Sequence, residues 1–151
     1  MTLAGGLVNV GEVSPALLLY ATGAFTVALG LVHFRMPVLF DFRGAIPLEG
    51  AELVPFRLTR IRYRTRRSDV YGIAWVMNHA ASYALVTIGA LDLAWRLWLS
   101  EPFGALVCVW IAGFWFLRAG SQLYLGRRRG DLWIMAGFAL IGVIHLAAPL
   151  G

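Results

Sequence analysis

Four long apolar runs, separated by short polar stretches, set the pattern of this chain: about Ser14 to Phe34, Val70 to Ala94, Phe103 to Leu125 and Asp131 to Ala148. A spanning helix needs about 20 mainly apolar residues at about 1.5 Å rise each, and each run is long enough. Ser14-Pro15 reads as an N-cap followed by a proline in the first turn, Ser68 or Asp69 caps the second run, and Pro149 ends the fourth. The pattern predicts an all-α integral membrane four-helix bundle, a single transmembrane domain over 1–151 with spans at about 14–34, 70–94, 103–125 and 131–148. Short turns join the last three spans, which should pack as antiparallel neighbours. Glycines recur at helix-packing intervals, Gly23 and Gly30 in the first span and Gly113 and Gly120 in the third, where small residues allow close approach.

The polar stretches orient the bundle. Eight arginines (35, 43, 57, 60, 62, 64, 66 and 67) lie in the 35–69 loop and three (127, 128 and 129) in the last turn, whereas the opposite side has only Arg96, set against Glu12 and Glu101. Arginine is retained on the cytoplasmic side, so the 35–69 loop is expected there and both termini on the non-cytoplasmic side. The first 13 residues carry no basic region, so the first span reads as a retained helix. Trp95 and Trp98 on the outside, and Tyr71, Tyr124 and Trp133 on the inside, fit interfacial belts.

Composition agrees. A chain that is 60% hydrophobic and 14% charged, with a mean hydropathy of +0.73, lacks the polar shell of a soluble domain. The single cysteine, Cys108, excludes a disulfide framework and a cysteine zinc site, and reads as a packing residue. All thirteen basic residues are arginine and the net charge is +5. Loop position explains that excess better than nucleic acid, for which the chain offers no module.

Within the loop, Phe34 to Phe42 is too proline-broken to span and too apolar for water, and is expected to lie along the interface. From Phe56 to Arg67 apolar and basic residues alternate. That places Arg60, Arg62, Arg64 and Arg66 on one face of an extended segment, with Arg57 and Arg67 completing a basic arm. The arm suits anionic headgroups, at about 1 kcal/mol per arginine near the surface. Docking of a membrane-protein partner is the alternative use.

Ionisable residues inside spans are costly and mark candidate sites. Counted at the helical rise, Thr26, His79 and Arg118 lie about 10 to 15 Å from the cytoplasmic end, with Asn78 beside His79 and Gln122 one turn nearer the cytoplasm than Arg118. Three helices thus contribute polar groups to one expected layer, and His145, about 20 Å from that end, to a second. No acidic residue shares the depth of Arg118. Its guanidinium cannot shed its charge, so it must snorkel to headgroups, meet water, or bind an anion. With Gln122 and His79 it would suit an anionic or carbonyl-bearing ligand.

Three histidines in three spans raise haem and a proton relay. The depths of His79 and His145 differ by about 9 Å and His33 is at the membrane edge, so a shared iron is disfavoured. No carboxylate or second histidine stands at metal-ligand spacing. No cofactor is expected.

The set Leu31-Val-His33-Phe34 with Pro37 and Phe40, then Asn78-His79, then Phe114-Trp-Phe-Leu-Arg118 with Gln122 and Tyr124, and finally His145, resembles a group of small bacterial four-helix membrane proteins of uncharacterised function. The resemblance covers most of the chain, which departs from the group in its long arginine-rich loop. It implies the four-span topology and a bacterial cytoplasmic membrane, and assigns no role to the shared residues.

The sequence therefore points to a multi-span membrane protein that binds a lipid or quinone-like molecule in a cytoplasmic-half cavity lined by His79, Arg118 and Gln122, with Asn78 and Thr26 nearby. One alternative is an enzyme acting on a lipophilic substrate with His79 as acid or base. Another is an accessory subunit of a larger complex or homo-oligomer.

Overall fold

The structure is a computed structural model in which residues 14–50, 56–58, 61–63, 66–125 and 128–150 are described. In chain order they form α1 (Pro15–Leu39), a short α2 (Phe42–Ala45), β1 (Phe56–Leu58), β2 (Ile61–Tyr63), α3 (Arg67–Leu93), α4 (Gly104–Leu125) and α5 (Arg129–Ala147). Turns of 3-10 helix follow α3 at Trp95–Leu97 and α5 at Ala148–Leu150. Three stretches, Ala16–Leu39, Gly104–Leu125 and Arg129–Leu150, are long and apolar enough to cross a membrane. At 27 residues α3 has the length of a fourth. Asn78, His79, Ser82 and Asp92 dilute its hydropathy, so composition alone does not mark it as a span.

The starts of α3 and α5 are each held by a carboxylate that reaches back from inside the helix. α3 begins at Arg67, before the expected caps, and Asp69 reaches back to accept the Arg66 amide through Oδ2 at 2.8 Å. α5 repeats this: Asp131 Oδ2 accepts the Arg128 amide at 3.1 Å. A carboxylate three residues into a helix can satisfy the amide just before it, and the Arg-Arg-x-Asp tetrads at 66–69 and 128–131 place one there each time.

α1 corrects the expected boundary. It does not stop near Phe34 but continues through Pro37 to Leu39. Proline lacks the amide that would bond the carbonyl four residues back, here His33. That carbonyl instead accepts Asn78 Nδ2 at 2.9 Å, so the helix survives its proline. α2 follows, its Asp41 at φ 43° accepting the Gly44 amide at 3.1 Å.

The basic arm is also corrected. It is not one extended segment: β1 and β2 pair antiparallel, with Phe56 opposite Tyr63, Arg57 opposite Arg62 and Leu58 opposite Ile61. Arg60 and Arg64 lie outside the described residues, while Arg66 directly precedes α3 and Arg67 begins it. A two-stranded hairpin thus adds a small β element to the expected all-α class.

The chain groups into two compact units, one of Met1–Thr22 with Asp92–Gly151, the other of Gly23–Leu91. In the second, α1 and α3 approach closely at glycines. A Cβ on Gly89 would stand 2.7 Å from the Gly23 carbonyl oxygen, and one on Gly30 would stand 2.9 Å from the Val86 amide. Gly113 and Gly120 do not serve this purpose, because nothing lies within 4 Å of where their Cβ would be.

In the first unit α4 packs against α5. Trp115, wholly buried, meets Phe138 at 5.2 Å between ring centroids. Below the chain's last turns Leu19, Trp98, Cys108 and Ala148 form a buried cluster flanked by Trp95, Leu99 and Val107. Cys108 is a packing residue, as expected. Trp98 is a core residue rather than a member of the belt, whereas Tyr124 and Trp133 are exposed as a belt requires.

Candidate functional site

On α4, position is everything. Trp115, Arg118 and Gln122 recur at i, i+3 and i+7, which puts them on one helix face. Trp115 and Gln122 are buried and Arg118 is half-buried. The Arg118 guanidinium donates from one terminal nitrogen to Ser121 Oγ at 3.2 Å and lies 5.4 Å from the centroid of Phe138. Ser121 in turn donates its hydroxyl proton to the Arg118 carbonyl at 2.8 Å.

A guanidinium carries five N–H donors, and among the described residues Ser121 takes up one. No carboxylate pairs with Arg118 among them. Trp115 Nε1 is buried without a hydrogen-bond partner, and the Gln122 amide makes no hydrogen bond among the described residues. One face of α4 therefore presents a row of unspent donors. Trp115 is the member the sequence reading missed; its signal was its place one turn before Arg118.

Asn78, His79 and Thr26 belong to the other unit. There a reciprocal clasp joins α1 to α3. Ser82 Oγ donates to the Asn78 carbonyl at 2.6 Å and so accepts from His33 Nδ1 at 3.2 Å, while the Asn78 side chain bonds the His33 carbonyl. Asn78 is thus engaged in holding α1 together at Pro37. Thr26 is wholly buried.

His79 is half-buried in an aromatic group. Its ring stacks on Trp75 at 5.3 Å with 18° between planes and meets the edge of Phe34 at 5.6 Å. Its Nδ1 faces the Trp75 carbonyl at 2.9 Å. A carbonyl only accepts, so Nδ1 carries a proton. Nε2 makes no hydrogen bond among the described residues, and in the neutral ring it would hold the lone pair of a base.

His145 has the opposite character. Its Nδ1 donates to the Ile141 carbonyl at 2.8 Å and its Nε2 meets Asp92 Oδ1 at 2.9 Å, both side chains being wholly buried. With both nitrogens engaged, neither offers a lone pair to a ligand. Asp92, at the end of α3, was not expected as a partner; Asp92 and His145 stand 53 positions apart.

Among the described residues no three histidine, cysteine or acidic side chains group as a metal site. No family model, curated protein or solved structure matches the chain. Fold and side-chain chemistry define it as a helical protein with three stretches long and apolar enough to cross a membrane and with polar groups buried among them.

Proposed function

We propose that this chain is a four-span protein of a bacterial cytoplasmic membrane, both termini outside, that binds an anionic or carbonyl-bearing lipophile through the donor face of α4. The observation that carries the reading is the row Trp115, Arg118 and Gln122 inside a helix fit to cross a membrane: Trp115 Nε1 is buried without a partner, and Arg118 spends one of its N–H groups, on Ser121, among the described residues. Buried donors without acceptors are unfavourable by about 1–3 kcal/mol each, and an oxygen-rich head of a lipid or quinone-like molecule supplies the acceptors. Arginine's planar fork suits a carboxylate or phosphate, and the indole and amide suit a carbonyl.

The direction of Arg118 supports a second reading. Its bond to Ser121 draws the guanidinium toward the C-terminal end of α4, as a snorkelling arginine requires. Lysine snorkels as well as arginine but lacks the fork, so Arg118→Lys separates the two. Native mass spectrometry of the protein extracted in mild detergent should show a retained lipophile. Loss of at least about tenfold in Arg118→Ala and in Arg118→Lys is expected, with a smaller loss in Gln122→Ala. Equal retention in wild type and Arg118→Ala would overturn the reading; retention kept by lysine alone would favour snorkelling.

A further inference from the structure

The outward face of α5 carries a second binding feature. Arg129, Leu132, Trp133 and Ala136 line an open groove of about 350 Å³. Leu132 is 45% exposed and Trp133 78%. The groove does not belong to the Arg118 site. Ala136 and Phe138, against which Arg118 lies, are separated by about 200° around the helix, and Phe138 is buried where Ala136 is exposed.

Three properties narrow what fits. The groove begins at the very end of the stretch Arg129–Leu150 that is fit to cross a membrane, so in a bilayer crossed by that stretch its mouth would stand at headgroup level and its floor at the upper acyl chains. Its one charged lining residue is Arg129, exposed and without a carboxylate partner among the described residues. The nearest acid in sequence, Asp131, is engaged by the Arg128 amide. Tryptophan prefers the depth between headgroup and chain, the depth that Trp133, about one turn into α5, would then take. A neutral lipid would leave the arginine unmatched, and a soluble anion would leave the apolar wall bare.

We propose that this groove is a site for one anionic phospholipid, its phosphate at Arg129, its glycerol region beside Trp133 and the top of one acyl chain along Leu132 and Ala136. The volume admits that part of a lipid, and the remaining chain lies in the bilayer.

The test uses the full chain in nanodiscs of equal phosphatidylglycerol and phosphatidylcholine, released into native mass spectrometry. Wild type should retain phosphatidylglycerol in preference, and Arg129→Gln should cut the ratio about fivefold, the weight of one arginine at the surface. Ala136→Trp fills the groove without altering charge and should reduce retained phosphatidylglycerol as well, so the result does not hang on one variant. Arg96→Gln, at the other end of the helices, should leave the ratio unchanged. A wild-type ratio of one, or an unchanged ratio in both groove variants, overturns the proposal. So does a preference that disappears in Arg118→Ala and persists in Arg129→Gln, which would place the lipid at the α4 face instead.

Discussion

At the scale of single residues, the clasp between α1 and α3 shows how a proline is accommodated. Pro37 strips the His33 carbonyl of its helical partner, and Asn78 replaces it from the neighbouring helix. Asn78→Ala should therefore cost about 1–2 kcal/mol in unfolding from detergent. Adding Pro37→Ala should return part of that loss, because alanine restores an amide four residues beyond the carbonyl. Strict additivity of the two changes would show that the Asn78 bond has no such role. Asp92 and His145 give a second residue-scale expectation. Asp92→Ala leaves His145 Nε2 facing nothing in a wholly buried position, at a cost of about 2–4 kcal/mol. Asp92→Asn keeps a hydrogen-bonding atom there and should cost less than half as much by the same thermal measurement.

At the scale of elements, close approach and open space separate glycines that look alike in the sequence. Gly89→Ala sets a methyl against the Gly23 carbonyl oxygen and Val27, and backbone cannot move aside as a flexible side chain would. Thermal melts in detergent should show a loss of about 2 kcal/mol or more. Gly113→Ala, with open space around it, should be neutral or stabilising by up to about 1 kcal/mol through helix propensity. The Arg-Arg-x-Asp starts of α3 and α5 belong to this scale as well. Each couples a basic boundary to a carboxylate that caps the start of the helix.

At the scale of the whole molecule, the arginine distribution and the four long helices together argue for four crossings. The three apolar stretches account for an odd number, and α3 must cross as well if both termini share a side. A reporter active only outside the cytoplasm should be active when fused after residue 151 and inactive when fused at residue 50. Activity at both positions, or at neither, would refute the proposed topology.

The helices were legible because long apolar helices announce themselves locally: length and apolar content decide them, and α1, α3, α4 and α5 fall within a few residues of the four runs. The largest departure, the extension of α1 past Phe34, came from Pro37, whose effect depends on a partner 45 positions away. The candidate residues were legible as costly polar groups in spans, and Arg118 without an acidic neighbour is the clearest of them. What each polar group does was not legible. Asn78 supports a proline, His145 is held by Asp92, His79 retains a free nitrogen, and Trp115 joins Arg118 and Gln122 only through the turn of α4. Hydropathy and charge are sums over neighbouring residues, so sequence by itself determined the long apolar helices and where their cationic ends lie. Hydrogen bonds between the helices join residues far apart in the chain, so only the tertiary structure decided which buried groups are satisfied and which donors stay without a partner among the described residues.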